Sequence, residues 1–149
     1  MSVARAALVA RVESFVGTPT HHQGRVPGVG MDCPAPVLVA CWELGLKPRS
    51  FDVTGYEPEP DGVVFKALLD EHCDPVAFDQ AQPGDLMLCA WSRDGMRPRH
   101  LGVLVDATPG RMWWVHADQK RTKKVVRTRL VFGSDGMHLV QAYRVPGVA

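Results

Sequence analysis

Leu8, Val12, Phe15 and Val16 recur at the three- and four-residue spacing of one helix face. This spacing predicts a helix over 3–16, with Ser2 able to cap its start and Gly17 to end it. Residues 17–30 then lose the period and are rich in Gly, Pro and His, with Pro19 and Pro27 as breakers, so they read as loop. A second helix is expected from Cys33 to about Leu44, with Asp32 or Cys33 at its cap and Gly45 as its stop. Pro34 and Pro36 fall in its first turn, where N–H groups have no intrahelical partner and proline is tolerated. Beyond them Val37, Leu38, Val39, Ala40, Cys41 and Trp42 are apolar on nearly all sides, the mark of a central buried helix. Residues 47–60 read as loop, and Asp61 caps a third helix with Val64, Leu68 and Leu69 inward.

After the third helix the period shortens. Pro83-Gly84-Asp85 is a turn into a strand over 86–91, with Asp85 capping that turn. A second strand covers 100–106, and Thr108-Pro109-Gly110 turns the chain into a third over 112–117. Strands over 125–131 and 138–144 bring the count to about five, all antiparallel. Helices first and strands second is the α+β order, with helices packed on one side of a sheet. No repeat, low-complexity tract or linker divides the chain, so 1–149 is expected to form a single domain.

Composition narrows the class. With 149 residues, 46% hydrophobic and 22% charged, the chain can bury a core without disulfides, and it has no apolar run of membrane-spanning length. The start Met1-Ser2-Val3-Ala4-Arg5 lacks the marks of a signal peptide, so disulfides are a poor expectation and, if the protein acts outside the cytoplasm, another route is expected to carry it there. Cys33, Cys41, Cys73 and Cys89 form no CxxC pair and no Cys/His spacing typical of zinc, so neither a metal nor a cofactor is expected. Net charge is +1, but Lys120, Arg121, Lys123, Lys124, Arg127 and Arg129 fall in the acid-free run 120–129. That run reads as a solvated strand and turn, or as a face for an acidic partner; no nucleic-acid partner is expected.

The candidate chemistry centres on Cys33, at the junction of a loop and a buried helix. A helix N-terminus favours a thiolate and offers N–H donors to an oxyanion. His100 opens a strand two residues before Gly102, where another chain can approach closely, and His116 lies near the end of the neighbouring strand. A cysteine on a helix, a histidine on a strand and an orienting group beside it make a triad for acyl transfer, in which a ring nitrogen of His100 lies within reach of Cys33. Taken singly, a helix-start cysteine is more often a small buried residue and a strand histidine more often structural. Asp118 is the alternative orienting group. His21 and His22 could line a cleft and Gln23 could position substrate, or all three could sit in a solvated loop. Cys41 reads as core, and His72 and His138 as surface or structural. Trp113 and Trp114 point to opposite sheet faces, one to the core and one available to a partner or sugar.

Together, Gly17-Thr18-Pro19, Gly30-Met31-Asp32-Cys33, Gln82-Pro83-Gly84-Asp85-Leu86, His100-Leu101-Gly102-Val103 and Val115-His116-Ala117 resemble, in order, the NlpC family of papain-like cysteine peptidases. His21-His22-Gln23-Gly24-Arg25 and Ala142-Tyr143-Arg144 look like the branch attached to phage tails. The resemblance implies the papain-like NlpC fold, with Cys33 as nucleophile, His100 as base and His116 as the orienting third member. Asp32, Gln23 and His22 would contact substrate. The family's usual activity is cleavage of peptidoglycan stems between D-glutamate and diaminopimelate. Two departures stand out: Pro34-Ala35-Pro36 replaces the family's Ser-Gly after the nucleophile, and Thr20 stands where it tends to carry an aromatic.

Three functions fit these residues. One is a peptidoglycan endopeptidase acting in a virion tail, or in the periplasm and cell wall, after synthesis in the cytoplasm. Another, favoured by the two departures, is a weak or inactive peptidase-fold module bound to a phage tail hub or tip protein. The third is an amidase or acyltransferase on the same fold.

Overall fold

The computed structural model describes residues 2–133 and 136–149; Met1, part of the N-terminal run read above, lies outside the described residues. Helix α1 spans Arg5–Glu13 and buries Leu8 and Val12, with Phe15 packed just beyond its end. It is shorter than the sequence period suggests. Val3 N–H donates to Gly147 O at 2.7 Å and Val3 O accepts from Ala149, so the first residues pair with the C-terminus instead of joining the helix. Ser2 is therefore not the cap, which is Ala4, and Val16 is 44% exposed beyond the helix end. Gly17 at φ 95° reverses the chain and donates its N–H to Val125 O.

A short hairpin follows, β1 at Arg25–Val26 and β2 at Gly30–Met31. Helix α2 spans Ala35–Glu43, two residues later than expected, and buries every residue from Ala35 to Cys41. Its cap is Pro34, already in the right-handed region, and Pro36 sits in the first turn where it costs no helical bond. The turn into it is closed by Ala35 N–H donating to Asp32 O at 3.1 Å. Helix α3 spans Val63–His72. Asp61 does receive the Val63 N–H at 2.9 Å, from one residue outside the cap Gly62. Leu69 is buried, but Val64 is 70% exposed, because the first turn of α3 overhangs a cleft and does not pack on the core.

Among the described residues six antiparallel strands make the main sheet, in the order β3, β8, β4, β5, β6, β7. They are β3 Asp74–Val76, β4 Leu86–Trp91, β5 His100–Asp106, β6 Trp113–Asp118, β7 Lys124–Arg129 and β8 Met137–Arg144. The sheet is one strand larger than the sequence pattern suggests. The additional strand, β3, lies at the edge on β8, and Pro75 in its centre hides it from the alternation rule. Leu86, Leu88, Leu101, Val103, Val115 and Tyr143 pack toward α1 and α2. Met87, Cys89, Leu104, Trp114 and Ala142 alternate with them into a second cluster on the opposite face.

Asp85 fastens the sheet to both ends of the chain. It is fully buried, accepts the Gln82 N–H as the expected turn cap, and also pairs with Arg5 at 3.0 Å and Arg144 at 2.8 Å. Among the described residues no helix is long and apolar enough to cross a membrane.

Candidate active site

Asp32 and Cys33 occupy the turn into α2. Asp32 is 1% exposed, yet its carboxylate is fully used. Oδ1 accepts from Arg25 Nη1 at 2.7 Å, and Oδ2 accepts from Gln23 N–H at 2.8 Å and from the Tyr56 hydroxyl. Arg25 in turn donates to Asp52 Oδ1 at 3.0 Å, Val53 O at 2.8 Å and Tyr56 Oη at 3.0 Å. A buried ion pair holds only when its remaining donors and acceptors are matched, as they are here. The network ties the β1–β2 segment and the 52–56 loop to the residue before Cys33.

Cys33 is half-buried. Its Sγ lies 3.7 Å from Arg99 O, and the Leu101 N–H also faces it, so the sulfur rests against the β5 backbone on either side of His100. Burial pushes the thiol up to about 12, and Asp32 adds to that rise; the N–H of Leu101 and the Arg25 cation pull the other way without prevailing. The helix-start expectation of a ready thiolate is thus corrected. Helix α2 begins beyond the sulfur, and Pro34 and Pro36 have no N–H to turn toward it.

His100 opens β5. Strand alternation sends Leu101 to the helices and His100 to the face that carries Trp114. There His100 Nε2 lies 3.0 Å from His116 Nδ1, and His116 Nε2 lies 3.0 Å from Thr128 Oγ1 on β7. Trp114 stacks on His116 with centroids 4.5 Å apart and planes 23° apart. Gly102 makes room for it: a Cβ there would stand 2.2 Å from Trp114 Cε3. The close approach at Gly102 is therefore made by this indole. Burial drives His100 down to about 3, with His116 and Arg93 adding to the fall and Asp118 opposing it. Burial likewise lowers His116 to about 4. Both rings are neutral at pH 7. With His100 Nε2–H donating to His116 Nδ1, and His116 Nε2–H donating to Thr128, His100 Nδ1 keeps its lone pair and can accept a proton.

Cys33, Tyr56, Trp91, His100 and His116 line one cleft of about 880 Å³, within the range of ligand sites. His22 is also on its wall, edge-on to the Tyr56 ring at 5.3 Å. Asp32 borders the cleft with both oxygens occupied, while the Gln23 side chain donates to Tyr56 O at 3.1 Å. Asp118 does not touch His100; its carboxylate accepts the N–H groups of Lys120, Arg121 and Thr122 and so caps the β6–β7 turn. Thr20 pairs with Met31 in a β-bridge, and a phenol reaches Asp32, the residue before Cys33, from Tyr56.

Sequence reasoning missed Tyr56, Arg99, Trp91 and Thr128. Tyr56 and Arg99 sit in irregular segments with no period. Thr128 needed the β6–β7 register, in which it lies opposite Trp114, diagonal to His116. Elsewhere, Trp114 is the core indole and Trp113 the half-buried one, with Arg127 5.0 Å over its ring. His72 packs on Phe51 and His138 bonds Ser92, both structural roles. Cys41 is core, as read from the sequence, and all four cysteines are free thiols. Among the described residues no group of three or more His, Cys, Asp or Glu could hold a metal ion.

The fold and cleft define an α+β protein that places a cysteine in the turn before a helix and a histidine pair on two neighbouring strands around one cavity. No protein-family model matches the chain, and no curated protein sequence matches it. Among solved structures it is similar to the crystal structure of a protein "similar to lipoprotein, NLP/P60 family" from Staphylococcus aureus subsp. aureus Mu50. The TM-score is 0.61 at 15% identity, over 95% of this chain. The match spans 41% of the neighbour's length. The fold is thus NlpC/P60-like.

Proposed function

We propose that the chain is a thiol peptidase that cleaves the peptide stems of peptidoglycan, at a bond of the D-glutamyl–diaminopimelate type. The supporting observation is that Cys33 and the hydrogen-bonded row His100, His116 and Thr128 share one cleft. In this reading Cys33 Sγ attacks the acyl carbonyl as its proton passes to His100 Nδ1. The Cys33 N–H, which the prolines leave intact, donates to the oxyanion. His100 then protonates the leaving amine, and water, deprotonated by the same nitrogen, releases the acid from the thioester. His116 and Thr128 hold the His100 ring in place. His22 is the substrate contact, while Asp32 and Gln23 act by positioning. The 1–149 unit works as one domain, either in a phage tail or at the bacterial wall.

A second reading has its own observation. The Cys33 thiol is pushed up to about 12 while His100 falls to about 3, so proton transfer between them is strongly uphill in the unliganded cleft. With Pro34 and Pro36 removing nearby donors, this favours a peptidase-fold module that serves assembly on a tail hub or tip protein. Intact-protein mass spectrometry after acid quench separates the two. The peptidase gains the mass of the acyl half of a muropeptide, lost in Cys33→Ala; the assembly module gains none.

A further inference from the structure

Trp91 ends β4, opposite Met137 of β8, with its ring half-buried in the cleft wall. The ring centroid lies 4.7 Å from that of His100. The indole Nε1 is enclosed and has no hydrogen-bond partner among the described residues. By contrast, Trp42 Nε1 donates to Phe51 O at 2.7 Å. An enclosed donor without an acceptor is a standing cost, and one on a cleft wall is removed by a ligand that brings the acceptor. The indole N–H only donates, so the ligand must bring an acceptor, which in a peptide is an oxygen. Its charge is indicated by the neighbour. Arg93 is exposed, lies 4.8 Å over the Trp91 ring, and makes no ion pair among the described residues. The adjacent Arg99 is already paired with Asp94 at 3.2 Å.

We propose that Trp91 and Arg93 form a carboxylate subsite of the cleft, with the indole N–H donating to one oxygen of an acidic peptide and the guanidinium supplying the opposite charge. The proposal rests on the peptidase reading and names the part of the substrate held next to His100. Re-aiming Trp91 toward a ligand breaks no existing hydrogen bond. Neutralising Arg93 also removes one of the charges that depress His100, so an acidic ligand makes His100 a better base.

The test uses Cys33→Ala protein with ¹⁵N-labelled tryptophan, the Trp91 indole resonance being assigned by its loss in Trp91→Phe. It is titrated with a muropeptide bearing free carboxylates and with the same peptide amidated at the glutamate carboxyl, while the His100 and His116 ring signals are followed in parallel. The proposal predicts that the Trp91 N–H signal moves downfield with the acidic peptide, that amidation weakens binding about tenfold, and that Trp91→Phe and Arg93→Gln weaken it by a similar factor. Histidine signals that shift while Trp91 stays still would overturn the subsite and leave the peptidase reading standing. Equal binding of the amidated peptide would overturn the carboxylate assignment. If neither histidine nor tryptophan signals move, the peptidase reading and the subsite fall together.

Discussion

His100 Nε2 stands 3.0 Å from His116 Nδ1, and the flat face of Trp114 backs the second ring at 4.5 Å. The first histidine is therefore positioned by side chains of the next two strands, β6 and β7, ending in the Thr128 hydroxyl. In the proposed mechanism His116 acts through His100 and not on the substrate, so removing its ring should lower kcat with little change in KM. His116→Ala should cost about a hundredfold in kcat. Thr128→Val, which removes only the last link, should cost about tenfold or less. Steady-state kinetics on a purified muropeptide measures both, and an unchanged kcat in His116→Ala would contradict the positioning role.

Acid sensitivity follows from the same pair. Both folded-state values lie below the ordinary histidine value of 6.5, at about 3 for His100 and about 4 for His116. Between pH 6.5 and 3 the unfolded chain takes up protons that the folded chain refuses, so stability present above 6.5 is lost as pH falls through that window. The urea midpoint should fall between pH 7 and pH 4, and by less in His116→Gln. An equal fall in both proteins would place the acid sensitivity elsewhere.

Thiol reactivity tests the electrostatics around Cys33. With the Cys33 thiol pushed up to about 12, iodoacetamide labelling should keep accelerating above pH 9, without the neutral-pH plateau of a preformed thiolate. Asp32 raises this thiol and Arg25 lowers it. Asp32→Asn should therefore shift the labelling curve to lower pH and Arg25→Gln to higher pH, in variants shown to be folded by circular dichroism. Shifts of the same sign would contradict the assignment.

Gly102 tests how tightly the histidine row is packed. A methyl group there meets Trp114 at 2.2 Å, so Gly102→Ala must displace the indole that backs His116. The expected loss is about 1–3 kcal/mol of stability by overpacking, together with a fall in kcat. Full stability with a normal rate would mean that the indole moves freely and does not position His116.

Much of this site was legible in the chain because it follows short-range rules. Leu8 and Val12 kept the helical period, the all-apolar run after Pro36 marked α2, and alternation put Trp113 and Trp114 on opposite sheet faces. What escaped depends on long-range pairing. The start of α1 was lost to a bridge between Val3 and Val148 at the two chain ends. Strand β3 carries a proline and only three residues, so only β8 beside it reveals it. The raised Cys33 thiol is hidden from the sequence because a helix N-terminus is visible there, whereas the burial that outweighs it is not.

The central claim is that Cys33 and His100 cleave a peptide stem, and digestion of purified muropeptides followed by mass spectrometry tests it most directly. Wild type should convert the intact stem into two fragments split at the glutamyl bond. Cys33→Ala and His100→Ala, each folded, should be at least about a thousandfold slower. An intact stem after prolonged incubation with folded wild type would contradict the account, as would cleavage by Cys33→Ala at the wild-type rate.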